Sequence, residues 1–169
     1  MAHSDIDLKN PPRRRIGAVV IVLDPDDRVL LVKPTYKEGW QLPGGGVHAG
    51  ESVADAAARE LKKETGLIRR ITHFVGLDQV PANPETGAAE GYNVVCFADT
   101  LSDNEARSVS VPAETAHELS ECRFVGADDL DDYAFPYQAR RIREALSAIK
   151  RGQELPLLVY GEPVPVTAG

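Results

Sequence analysis

The chain has 169 residues, enough for one domain with its own core. It is 43% hydrophobic and 27% charged, an ordinary globular composition, and it carries a formal net charge of −7, which argues against broad nucleic-acid binding because that needs a basic surface. No run of about 18 apolar residues occurs, so no membrane helix is expected.

Residues 1–14 read as a flexible leader. They are polar, lead into Arg13-Arg14-Arg15, and lack the apolar stretch and small-residue cleavage site of a secretory signal, so a cytoplasmic location is expected. Ile16 to Leu23 (IGAVVIVL) is a β-branched apolar run and reads as a buried strand. Asp24-Pro25-Asp26-Asp27 is a turn, and Arg28 to Lys33 (RVLLVK) is a second strand, giving a hairpin. Pro34 to Gly50 reads as a loop centred on Pro43-Gly44-Gly45-Gly46.

Ser52 to Thr65 is the strongest helix signal. Ser52 is a candidate N-cap with Asp55 three residues on, the alanines and Leu61 favour helix, and Gly66 is placed to end it. Leu67 to Val80 holds one or two strands, Pro81 to Gly91 a loop, and Tyr92 to Ala98 a buried strand. Leu101 to Ser120 reads as polar and mostly irregular, and Cys122 to Val125 as a short strand. Phe135-Pro136 opens a last helix that runs to Lys150, with Ile142, Leu146 and Ile149 at helical spacing. The tail, 153–169, contains three prolines; an edge strand at Leu157–Tyr160 is expected there. The boundaries expected are therefore a leader at 1–14, a domain at 15–152 and a tail at 153–169. The order of elements points to an α/β fold whose sheet is mixed, because hairpins preclude an all-parallel one. Cys96 and Cys122 have neither metal-ligand spacing nor a disulfide framework and read as buried thiols.

The chemistry concentrates between Gly44 and Leu67. A glycine turn leads into a helix whose Glu60 and Glu64 lie four apart and share one face. Glu64 falls in the last turn, where the helix dipole disfavours negative charge unless a cation sits nearby. Hard cations such as Mg²⁺ take carboxylate and carbonyl oxygens, and Gly44 and Gly45 let backbone come close. The same spacing also suits a solvated surface, with Lys62 and Lys63 pairing with the two glutamates. An acidic chain handling an anionic phosphate substrate is helped by metal ions that bridge the two.

Gly45, five residues, Glu51, seven residues, and Arg59-Glu60-Leu61-Lys62-Lys63-Glu64-Thr65-Gly66-Leu67 resemble the Nudix box, and Trp40-Gln41-Leu42-Pro43-Gly44 resembles its lead-in. The resemblance implies an α/β/α sandwich with a mixed sheet between helices. It implies a pyrophosphohydrolase that uses Mg²⁺ or Mn²⁺ to cleave a nucleoside diphosphate linked to another group. Glu60 and Glu64 then bind metal, Gly44 offers a backbone carbonyl, and Glu51 and Arg59 form a supporting bidentate pair. The family also supplies an acid from a loop before a late strand, where Glu118 stands, with Glu121 as the neighbouring alternative. Glu60 or Glu118 takes the proton from water.

Lys63 departs from the box, standing where the family has a metal-binding glutamate. It either swings out to complement the helix C-terminus, or contacts a substrate phosphate, or weakens metal binding until nucleotides are bound without cleavage. Lys33 and Lys37 are candidate phosphate contacts or surface cations. Tyr36 and Trp40 are candidates for stacking on a base or for core packing. His48, at a free position inside the box, reads as a loop residue, and His73 and His117 are isolated with no evident ligand partners. Arg140, Arg141 and Arg143 read as the wet face of the last helix. The expected partner is a small nucleotide derivative, with no membrane and no nucleic acid, and the tail could reach a second copy to give a homodimer.

Overall fold

The computed structural model describes Lys9 and residues 13–166, so the expected leader lies almost wholly outside the described residues. The elements in chain order are β1 (Arg15–Leu23), β2 (Val29–Pro34), β3 (Gly44–Gly46), α1 (Val53–Thr65), β4 (His73–Val80), β5 (Gly91–Thr100), α2 (Asp103–Ser108), β6 (Leu119–Val125), α3 (Leu130–Tyr133), α4 (Pro136–Lys150), β7 (Leu155–Pro156), β8 (Leu158–Val159) and β9 (Glu162–Pro163). The main sheet runs β6-β2-β1-β5-β4-β7, and β3 also pairs with β1. β1 and β5 are parallel and the other pairings antiparallel, so the sheet is mixed as expected.

Alternation along the strands builds two cores. Ala18, Val20, Val22 and Leu30 face one side with Ala57 and Leu61 of α1. Ile21, Leu23, Val29 and Leu31 face the other with Ala139, Ile142 and Leu146 of α4. Successive side chains on a strand point to opposite faces, so one strand serves both layers. The result is the α/β/α sandwich.

Local signals explain the turns. In the β1–β2 connection the buried Asp24 carboxylate accepts from the Asp26 and Arg28 amides at 3.0 and 2.9 Å and from Arg28 Nε at 2.7 Å. Pro136 occupies the first turn of α4, where its missing N–H costs nothing.

The structure departs from the sequence reading in four places. The stretch 101–120 is not mostly irregular: it holds α2, whose N-cap Ser102 and Glu105 complete a reciprocal capping box, and a 3₁₀ turn at Ala113–Thr115. No residue of α2 is buried, so the sequence offered no apolar periodicity to find it by. The late strand begins at Leu119 rather than Cys122. The edge strand of the tail is β7 on β4, two residues before the expected position, while Leu158–Val159 pairs with Glu162–Pro163 in a separate hairpin. Arg141 does not belong to a wet face; its side chain is 9% exposed. The tail folds back on its own sheet, where Leu157 joins the α1-side core and donates its N–H to Thr72 O at 2.8 Å. Among the described residues no helix is long and apolar enough to cross a membrane.

Candidate metal and diphosphate site

α1 is fixed at both ends. Ser52 Oγ accepts from Asp55 N–H at 3.1 Å, and Gly66, at φ 74°, closes the helix by donating its N–H to Lys62 O. Between these caps, Glu60 and Glu64 turn inward and are only 7% and 6% exposed. They meet β3, whose lack of side chains is required: a Cβ on Gly45 would stand 2.7 Å from the Glu60 carboxyl, and one on Gly44, at φ 150°, would stand 2.2 Å from Ala18 O. The Gly44 N–H donates to Glu64 Oε2 at 2.9 Å, so the glycine turn orients this carboxylate directly.

Arg59 ties the approach loop to the helix. Its Nε and Nη2 donate to the two oxygens of Glu51 at 2.7 and 3.0 Å, Nη2 also reaches Gly46 O at 3.0 Å, and Nη1 contacts Glu60 Oε1. The His48 amide donates to Glu51 as well, at 2.9 Å. The Arg59 guanidinium and this amide hold the Glu51 carboxyl at about 2, well below the usual range. Burial acts oppositely on Glu64: with Glu60 beside it, its pKa is pushed up to about 7, although the Gly44 amide and Lys63 pull it down.

Lys63 does not point away from the site. Its Nζ pairs with Glu118 Oε2 at 2.6 Å. The segment bearing Glu118 is stapled to the same end of α1, because Thr115 Oγ1 donates to Lys63 O at 2.9 Å. Thr35 N–H and Oγ1 hold the Glu118 carbonyl from the β2 side. Glu118 is thus at the site but engaged by a cation that keeps it below the usual carboxylate range. Among the described residues no three His, Cys, Asp or Glu side chains are grouped to hold an ion by themselves. The buried Glu60–Glu64 pair nevertheless fits a hard divalent ion of the Mg²⁺ type, which is commonly held by one or two carboxylates with water and substrate phosphate completing the shell.

The remaining candidates separate. Trp40 is buried against Tyr133, edge to face at 5.7 Å, with Arg123 and Lys33 over its ring at 5.2 and 5.8 Å. Its ring is part of the α4-side core. Tyr36 is exposed and has Lys37 Nζ 5.8 Å from its ring centre. Lys33 lies opposite Glu121 in the β2–β6 register. Lys37, by contrast, lines a polar cavity of about 270 Å³ that opens beside Gly44 and Gly45 and is floored by Asn93, Gln138 and Arg141. Gln138 escaped the sequence reading and Arg141 was placed on a wet face, since polar residues on a late helix ordinarily face water; the four-residue spacing of Gln138 from the core residue Ile142 was an available signal.

Comparison with known proteins gives the same answer as this arrangement. The NUDIX domain family model matches residues 13–146. The RNA pyrophosphohydrolase of Caulobacter vibrioides is 31% identical over 155 residues, a match covering 83% of this chain and 88% of that protein. A putative 8-oxo-dGTP diphosphatase of Bacillus subtilis is 45% identical over 65 residues, which is 38% of this chain and 44% of that protein. In structure, the NUDIX domain of Shewanella oneidensis NrtR complexed with ADP ribose superposes with a TM-score of 0.65 at 16% identity, covering 86% of this chain and 95% of that one. A glycine turn feeding a carboxylate helix on a mixed sheet is the arrangement its box predicted, and the chain belongs to the Nudix family.

Proposed function

We infer that this chain is a pyrophosphohydrolase that cleaves a nucleoside diphosphate linked to another group, with Mg²⁺ or Mn²⁺ held on Glu60 and Glu64. The observation that carries the reading is the buried Glu60–Glu64 pair facing two glycines that leave room for nothing larger. A bound divalent ion neutralises phosphate oxygens and makes a coordinated water more acidic. The protein's part is placement. Gly44 orients Glu64, Arg59 anchors Glu60 and the loop, and Lys37 offers positive charge where the cavity meets the glycines. The proton of the attacking water goes to Glu60 or Glu118, each of which is held in place by a cation, Arg59 and Lys63 respectively.

A phosphate-release assay tests this, run with Mg²⁺ and with Mn²⁺ over nucleoside triphosphates, nucleotide sugars, ADP-ribose, dinucleoside polyphosphates and a 5′-triphosphate RNA. At least one substrate should turn over, and Glu64→Gln should cost about a hundredfold or more in kcat. The Lys63–Glu118 pair favours a second reading, a nucleotide-binding domain that does not hydrolyse. That reading holds if nucleotides bind and no substrate turns over; turnover that Glu64→Gln leaves unchanged overturns the assignment of the chemistry to Glu60 and Glu64.

A further inference from the structure

Lys63 follows Glu60 by three residues and immediately precedes Glu64, so all three stand on one side of α1. Its side chain is 40% exposed, and its Nζ lies 2.6 Å from Glu118 Oε2. Backbone contacts fix both partners. Thr115 Oγ1 donates to Lys63 O, the Glu118 N–H closes a turn onto Thr115 O at 2.9 Å, and the Thr35 N–H holds Glu118 O from the end of β2. The other carboxyl oxygen of Glu118, Oε1, faces His117 Nε2 at 3.4 Å. The ammonium is therefore built into the site, with part of its surface open to whatever enters.

What each acid already meets limits the ions the site can take. Arg59 directs Nε and Nη2 to Glu51, which answers that carboxylate. Glu60 and Glu64 are buried together and remain for a divalent ion. Glu118 acts on Glu64 across the site, yet its Oε2 is engaged by Lys63 and does not anchor a second ion. An ammonium among these carboxylates also repels a further divalent cation. A diphosphate brings several anionic oxygens, and the ammonium has three N–H donors, of which Glu118 takes one. Lysine suits this task as a compact point charge that binds phosphate oxygens. We propose that the site takes one divalent ion, on Glu60 and Glu64, and that Lys63 serves as its second cation, donating to an oxygen of the diphosphate while Glu118 holds the ammonium in place. This deepens the hydrolase reading and rests on it for the ion and for the diphosphate.

Two measurements on the full chain test the assignment. In a Mn²⁺ titration followed by electron paramagnetic resonance, the wild type should bind about one ion per chain and Lys63→Glu about two, because the new carboxylate adds a ligand and releases Glu118. In calorimetric titration with α,β-methylene ADP in Mg²⁺, Lys63→Met should weaken binding about tenfold or more, as expected for the loss of a hydrogen bond between charged groups. Lys63→Arg, which keeps a cation, should recover most of that loss. Glu118→Gln should bind the analogue at least as tightly as wild type, since it frees the ammonium and removes a negative charge from beside the phosphates. Melting temperatures should stay close to wild type, because Thr115 holds the backbone carbonyl of Lys63 and not its side chain. Two ions on the wild type that Glu64→Gln abolishes, or analogue binding unchanged in Lys63→Met, overturn the proposal and leave the hydrolase standing. Equal losses in Lys63→Met and Glu118→Gln overturn it as well, because they reduce Lys63 to a clamp on Glu118. Mn²⁺ binding that survives Glu64→Gln removes the metal site on which the hydrolase reading rests, and this proposal with it.

Discussion

Two ion pairs set the character of the site, and they differ in how readable they were. Glu51 and Arg59 sit where the box places them, and the bidentate contact follows from the fork geometry of arginine. Lys63 was visible as a departure, but its partner was not, because Glu118 is 55 residues away and reaches it only through the stapled loop. The pair neutralises a carboxylate at the same end of α1 as Glu64. Lys63→Glu adds a carboxylate and releases Glu118, so Mn²⁺ affinity, followed by electron paramagnetic resonance, should rise about tenfold or more. Melting should shift little, since a half-exposed pair contributes about 1 kcal/mol or less. Gly45→Ala works the other way: its Cβ must displace the Glu60 carboxyl, so Mn²⁺ binding and turnover should fall together while the circular dichroism spectrum is kept.

Among the elements, α1 and α2 make an instructive contrast. Alanine content, an N-cap serine and a terminal glycine made α1 legible, and the structure uses each of them. α2 has an even better cap but no buried face, so the pattern that reveals helices was absent. Its stability depends on polar contacts at its start: Ser102 N–H and Oγ donate to Glu105 at 2.9 and 2.8 Å, and Arg69 reaches Glu105 at 2.5 Å. Ser102→Ala should cost about 1 kcal/mol in urea unfolding. The backbone amide of Ser102 and then Arg69 hold the Glu105 carboxyl at about 2, below its ordinary 4.5. A depressed acid stabilises the fold above its unfolded value and loses that effect as pH falls toward the folded one. The melting difference between wild type and Glu105→Gln should therefore be full at neutral pH and shrink between pH 4.5 and about 2.

At the scale of the molecule, the sheet separates two cores that share strands but not side chains. Leu61→Ala and Ile142→Ala, one on each side, should each cost about 2–5 kcal/mol in urea unfolding. The double variant should lose close to the sum, because the two sites have no common partner. The α/β class and the mixed sheet were readable from hairpins alternating with helices; strand order was not. β3 is three glycines and shows no side-chain pattern, and the parallel pairing of β1 with β5 joins Ile16 to Tyr92 across most of the domain. That pairing governs assembly during synthesis. While a ribosome is still extending the chain, β1 and β2 have one another but neither has its outer neighbour, and the centre of the sheet stays open until Thr100 has emerged. Through that interval Ile21, Val22 and their neighbours lack the strand that covers them in the native sheet, which ties productive folding to the second half of translation.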